Sequence, residues 1–192
     1  GNKIADLAPL SGLKQLQYVN LASNLVSVIA PLASVPALQY IELSHNQVKD
    51  VKPLSGLTNL ASIYLSANRL SSVASLTNLP RVATLYIDHN KISSIQGFGA
   101  FRNLTLLSAS HNGISDLAPL SGIRAPSFLQ LSHNRIRDLA PLSRWMTPDL
   151  EKTRNFAPFV RVYLDGNPLS KQSKAQVEEL KAKGARINPP AR

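Results

Sequence analysis

Asparagine returns in this chain at a fixed interval. Asn2, Asn24, Asn46, Asn68, Asn90, Asn112 and Asn134 are each separated by 22 residues, and Asn167 follows after 33. Around each runs one pattern, L-x-x-L-x-L-x-x-N-x-L. Leu38, Ile41, Leu43, Asn46 and Val48 fill it once, and Leu60, Ile63, Leu65, Asn68 and Leu70 fill it again. A unit this short cannot bury its own apolar side chains, so successive units must stack and share one core, as the coils of a solenoid do.

The pattern can be followed around one coil, counting its first leucine as position 1. Positions 4 and 6 alternate inward along a short strand, while positions 3 and 5 point outward. Asparagine at position 9 turns inward, where its amide can serve backbone groups of the neighbouring coil; losing one such amide costs roughly 1–3 kcal/mol. Ile114, Leu117, Leu120 and Ile123 show how positions 11, 14, 17 and 20 close the core. Proline stands at position 16 in five coils (Pro9, Pro31, Pro53, Pro119 and Pro141). It argues against a long helix on the convex side and for a 3₁₀ or extended back. Asp6, Asp50, Asp116 and Asp138 at position 13, replaced by Ser72 and Ser94 in two coils, offer an oxygen that caps this turn. The expected fold is an α/β repeat solenoid. More narrowly it is a right-handed, curved leucine-rich repeat with a parallel concave β-sheet, a mostly 3₁₀ or extended convex side and a C-terminal capping helix.

The ends depart from the period. After Asn134 the pattern reaches Trp145 at position 20, then gains 11 residues before Phe159 restarts a strand. This insertion, near 147–157, is placed where the chain descends into the sheet, so it can line a site near Arg161 and Tyr163. Trp145 and Met146 read as core plugs. Residues 1–169 are therefore expected to form a repeat array of about seven strands, and residues 170–192 a cap helix and tail. Ser170 caps that helix, which runs to about Lys183, stops at Gly184 and lays Ala175, Val177 and Leu180 over the last coil. Arg186 and Ile187 can add a final short strand. No comparable cap precedes the first coil, and "GNKIADL" already lies inside a repeat, so a piece of a longer protein is expected.

The stretches "NQVKDVKPLSGLTNL" and "NGISDLAPLSGI" resemble the 22-residue repeats of bacterial internalin-type proteins and of the eukaryotic phosphatase-regulator type. The resemblance spans nearly the whole chain. It implies a curved protein-recognition scaffold with no chemistry of its own, on a framework shared by binders of unrelated partners.

All four histidines, His45, His89, His111 and His133, immediately precede an asparagine. They occupy position 8, on the rim of the sheet. With strands about 4.8 Å apart, His89, His111 and His133 should form a column. A flat column with no carboxylate at position 8 makes poor tetrahedral geometry, so no metal is expected. The column reads as a polar rim copied by repeat duplication, with a partner-contacting or acid-sensing rim as the alternative. Asp88 adjoins His89 at position 7, where strand neighbours point to opposite faces unless the chain is already turning; with Glu42 and Asp165 it brings acid to the concave face.

The outward positions are where a partner can be recognised. All five tyrosines fall there, Tyr18 and Tyr40 at position 3 and Tyr64, Tyr86 and Tyr163 at position 5. Glu42, Phe128, Gln130 and Arg161 share these rows and complete the candidate partner-binding set. Rigid aromatics with one polar tip are favoured interface anchors.

The net charge of +10 raises the question of a polyanion. Its cations are dispersed, however, with Lys3, Arg69, Lys91 and Arg135 at position 10 and Lys14, Arg102 and Arg124 at position 21. Lys171, Lys174, Lys181 and Lys183 lie in the C-terminal segment. A nucleic-acid groove would converge them on the aromatics, so nucleic acid is disfavoured. The absence of cysteine removes disulfides, thiolate metal sites and cysteine nucleophiles. No apolar run approaches the roughly 20 residues of a membrane helix. Nothing makes a Ser-His-Asp set converge, and no phosphate loop is present, so neither an enzyme, a cofactor nor a small-molecule substrate is expected. The leading expectation is a monomeric, non-catalytic protein-binding module, with a secreted or cell-envelope setting favoured over the cytoplasm. Polyanion binding through the basic flanks, or targeting for a larger enzyme or effector, are the alternatives.

Overall fold

The repeat lays down one short strand per coil. In a computed structural model, which describes residues 1–190, these strands are β1 (Tyr18–Asn20), β2 (Tyr40–Glu42), β3 (Ser62–Tyr64), β4 (Thr84–Tyr86), β5 (Leu106–Ser108), β6 (Phe128–Gln130), β7 (Arg161–Tyr163) and β8 (Arg186–Ile187). They form one parallel sheet in chain order. Register follows repeat position, so Ile41 pairs with Ile63 and Ile63 with Leu85. Seven of them lie in residues 1–169, and β8 is the short final strand of Arg186 and Ile187. The last two residues of the expected tail lie outside the described residues.

Position for position, the leucines are buried. Ile41, Leu43, Ile63, Leu65, Leu85 and Ile87 are all 0% exposed and belong to one core running the length of the array. In the first coil Leu10, Leu16 and Val19 are only half-buried, and Ile4, Leu13, Leu25 and Val28 are exposed.

The asparagines bond as position 9 requires. The Asn46 amide nitrogen donates to Leu21 O at 2.8 Å and to Leu43 O at 3.0 Å, and its oxygen accepts from Val26 N at 2.9 Å. Asn68, Asn90, Asn112 and Asn134 repeat this set one coil further on each time. Each asparagine thus ties its own turn to the coil before it. Asn167 spans the insertion to do the same, reaching Leu131 O and Ile136 N.

On the convex side the caps are as expected. Asp6, Asp50, Asp116 and Asp138 accept from the backbone two residues on at 2.8 Å, and Ser72 and Ser94 do so at 3.2 Å. Short 3₁₀ turns follow, with proline in their first residues in the coils of Pro9, Pro31, Pro53 and Pro119. The fifth proline behaves differently. Pro141 opens an α-helix, α1 (Ala140–Pro148), which runs into a π-turn over Asp149–Thr153. Proline is tolerated in a first helical turn, and the 11 extra residues supply the length that other coils lack.

That insertion is folded around one buried carboxylate. Asp149, 6% exposed, accepts from the backbone nitrogens of Asn155, Phe156 and Ala157 at 2.9, 3.0 and 2.8 Å and from the Thr153 hydroxyl. Burial opposes its charge, but these bonds outweigh burial and hold its pKa down to about 2. Trp145 stacks on Phe156 at 4.7 Å. Met146 is fully buried, as expected of a plug, whereas Trp145 is only half-buried.

The cap helix α2 (Lys171–Ala182) has Ser170 as N-cap, its hydroxyl accepting from Ser173 N at 3.1 Å, and Gly184 follows with a left-handed φ of 101°. Val177 and Leu180 cover the last coil, but Ala175 is exposed. Ser173 takes the third covering place because its hydroxyl accepts from Leu139 N at 3.0 Å, a bond that alanine cannot make. Lys183 pairs with Glu151 and Glu179, both at 2.8 Å, and joins the cap to the insertion.

Two outcomes test these supports. Asn46→Ala strands Val26 N–H and should lower stability by about 2 kcal/mol in urea unfolding, with unchanged slope. Asp149 has a folded pKa below its unfolded value, so its stabilisation is present above about pH 4 and is lost as pH falls toward 2. Asp149→Asn should therefore melt well below the parent at pH 7, and the gap should narrow markedly at pH 2.5.

Candidate functional site

Strand alternation leaves positions 3 and 5 on the open face, and the register stacks like on like. Tyr18 and Tyr40 pair directly, as do Tyr64 and Tyr86, and Glu42 lies opposite Tyr64. The tyrosine rings form a continuous ladder over four coils. Centroid separations are 6.3 Å for Tyr18 and Tyr40, 5.2 Å for Tyr40 and Tyr64, and 4.9 Å for Tyr64 and Tyr86, the last pair stacked at 18°. Tyr18 is 64% exposed and the other three are half-buried. Desolvation, then the charge of Glu42, raises the pKa of Tyr40; desolvation, then Tyr64 and Asp88, raises that of Tyr86. Both hydroxyls therefore remain protonated donors at neutral pH. Glu42 turns one oxygen to Ser44 N at 2.7 Å, which fixes its carboxylate beside the ladder.

A second aromatic group occupies the far coils. Phe128 and Tyr163 lie 5.3 Å apart, and the Arg161 guanidinium sits 5.5 Å from the Phe128 ring centre. Arg161, Tyr163, Arg186 and Phe159 line a cavity of about 630 Å³. Residues 147–157 of the insertion do not line it; Phe159, just beyond them, does.

The histidine column forms, with tighter geometry than strand spacing alone gives. His89 and His111 stack at 4.1 Å and 11°, and His111 and His133 at 4.3 Å and 13°. Each is left-handed, with φ of 53°. Gly166 continues the column, where a β-carbon would lie 2.3 Å from His133 Nδ1, so only glycine fits. Parallel rings cannot aim their nitrogens at one ion. Among the described residues no group of three or more histidines and carboxylates is placed to hold a metal.

The chain is already turning at Asp88. Asp88 shares a cavity of about 550 Å³ with His89, His111 and His133, because the left-handed residue at position 8 turns the ring back over the face that position 7 occupies. The Asp88 carboxylate joins three coils, accepting from Ser66 Oγ at 3.1 Å, Ser108 Oγ at 2.8 Å and Ser110 N at 2.8 Å. Ser108, expected to face outward, is only 5% exposed on the floor of this cavity, while Gln130 is half-buried at its side. The missed signal was the serine at position 7 in Ser66, Ser110 and Ser132, too small to fill the space beside the tyrosines.

Desolvation, followed by repulsion from His89 and His133, lowers the pKa of His111 below 6.5 against a weaker pull from Asp88. The folded form therefore resists protonation, and what the neutral ring contributes to stability is present above about pH 6.5 and is lost as pH falls through that value. His89→Asn/His133→Asn should raise the His111 midpoint in an NMR titration. An unmoved midpoint would show that the column does not perturb it.

Residues 36–80 match the family model described as "Leucine Rich repeats (2 copies)". The chain is similar to internalin InlF of Listeria monocytogenes, at 24% identity and a TM-score of 0.83, over 99% of this chain and 52% of that one. Internalin C2 of the same organism gives 26% identity and 0.75, over 91% and 70%. A leucine-rich-repeat protein of Leptospira interrogans gives 22% and 0.80, over 94% and 45%. The chain thus spans about half the length of the InlF structure. No curated protein matches the sequence significantly. With the parallel sheet and the asparagine ladder, these likenesses show that the chain folds as a leucine-rich-repeat solenoid, similar to those of the internalins.

Proposed function

We propose that this solenoid is a non-catalytic recognition module that holds a partner protein against its tyrosine-bearing face. The fold itself is a common protein-interaction scaffold. The observation that carries the narrower reading is the ladder Tyr18–Tyr40–Tyr64–Tyr86, four rings on successive strands with no framework duty. Stacked neighbours hold one another in place, so little side-chain freedom remains to be lost when a partner docks, and each hydroxyl still offers a hydrogen bond. Glu42, Phe128, Gln130, Arg161 and Tyr163 extend the contact surface, and His89, His111 and His133 border it.

The basic flanks serve solubility and approach rather than the main contact. The only ion pairs among the described residues join Lys181 and Lys183 to Glu151, Glu178 and Glu179, all at the C-terminal end. Most of the remaining cations are spread along the edges; Arg161 and Arg186, beside Phe128 and Tyr163, are exceptions. A monomer in a secreted or cell-envelope setting is the context we assign, on the likeness to the internalins. No helix among the described residues is long and apolar enough to cross a membrane.

Tyr40→Ala/Tyr64→Ala/Tyr86→Ala should retain the fold by circular dichroism and lose the proteins that the parent retains in a pull-down. Identical retained proteins in the two lanes would overturn the reading. Raising salt from about 50 to 200 mM should change retention only modestly, whereas polyanion binding through several cations falls by orders of magnitude.

A further inference from the structure

Between Tyr86 and Tyr163 the position-5 row of the open face loses its large aromatic side chains. Across these coils the position-5 row reads Tyr86, Ser108, Gln130 and Tyr163, each in register with the next. Ser108, Ser110 and Ser132 are each 5% exposed and floor the 550 Å³ hollow, with Asp88 toward one end and Asp165 toward the other. No lysine or arginine lines it, in a protein of net charge +10.

Two buried oxygens in this hollow are orphaned. Ser110 Oγ and Gln130 Oε1 have no hydrogen-bond partner among the described residues. Buried polar atoms are almost always paired in native proteins, so two in one cavity call for something that pairs them. Both can accept a hydrogen bond. The three bonds that Asp88 accepts all come from uncharged groups, and among the described residues no side chain donates to Asp165. The hollow therefore gathers acceptors and carboxylates, with three imidazoles but no lysine or arginine in its lining.

We propose that this hollow receives an arginine side chain of the partner protein. A guanidinium has five donors in one plane, which suits the Asp88 carboxylate and the Ser110 hydroxyl one coil on. Its forked edge can pair with Asp88 through two parallel bonds. A lysine ammonium would offer three donors from one point and lacks that fork. The proposal rests on the concave-face reading only in taking its occupant from a protein.

The test needs no partner, so its failure is separable from a failure of the tyrosine-ladder reading. Nα-acetyl-arginine methylamide is titrated into the ¹⁵N-labelled chain, with the citrulline analogue as a neutral mimic of the same shape. Saturable shifts are expected at the amides of Asp88, Ser110 and Ser132, with the citrulline compound weaker by about tenfold, as loss of a charge-assisted pair implies. Asp88→Asn should weaken the arginine probe several-fold, and Tyr18→Ala should leave it unchanged. Should Asp88→Asn fail to fold, Ser110→Ala carries the comparison. Equal binding of the citrulline or acetyl-lysine compound, shifts confined to other residues, or the same shifts from calcium chloride at about 1 mM would each overturn the assignment.

Discussion

The position-9 amide is the constraint on which the rest depends. Three-residue strands bond to their neighbours over too short a length to satisfy the turn that follows, and the apolar core beneath admits no water to do so. The asparagine closes that gap by reaching from its own turn to the coil before. To aim its side chain inward the backbone must reverse at the residue ahead of it. Ser23, His45, Ala67, His89, His111 and His133 accordingly have φ of 53–57°. That region disfavours most side chains, but asparagine, aspartate and histidine enter it more readily than others. The histidines are thus a consequence of the ladder before they are anything else, and their stacking follows from the register.

Because the ladder settles the backbone, the outward rows are free to vary. They do so along the axis, with tyrosines on β1–β4, small polar residues on β5 and β6, and aromatic and basic residues on β6 and β7. Neighbouring coils share a core, but a side chain at position 3 or 5 touches only the coils beside it. A change there is felt locally. Changes at position 9 act on every backbone group the amide serves.

Much of this was legible in the sequence. The period gave the sheet, its register, the inward leucines, the convex caps and the outward tyrosines, because each depends on a local rule repeated seven times. What could not be read lies where a tertiary bond replaces a local preference. Ser173 displaces Ala175 in the cap helix because Leu139 N needs an acceptor. Asp149 looks like an ordinary loop acid until three backbone nitrogens are seen to converge on it. Asp88 is the sharper case. Alternation assigns neighbours to opposite faces only while the chain stays extended, and at His89 it no longer does.

Asp88 also shows where stability and recognition cannot be separated. Its carboxylate, in the β4 coil, accepts from Ser66 Oγ of the β3 coil and from Ser108 Oγ and Ser110 N of the β5 coil, and so joins three units of a stack whose other ties mostly reach one coil at a time. It faces the same hollow as the unpaired Ser110 and Gln130 oxygens. The four ladder tyrosines have no such second duty, since the core closes beneath them without their help. Sequence change in an array of this kind therefore meets unequal resistance across one face. The ladder can be rewritten to suit a new partner at little structural cost, whereas the hollow is held by the bonds that hold the coils.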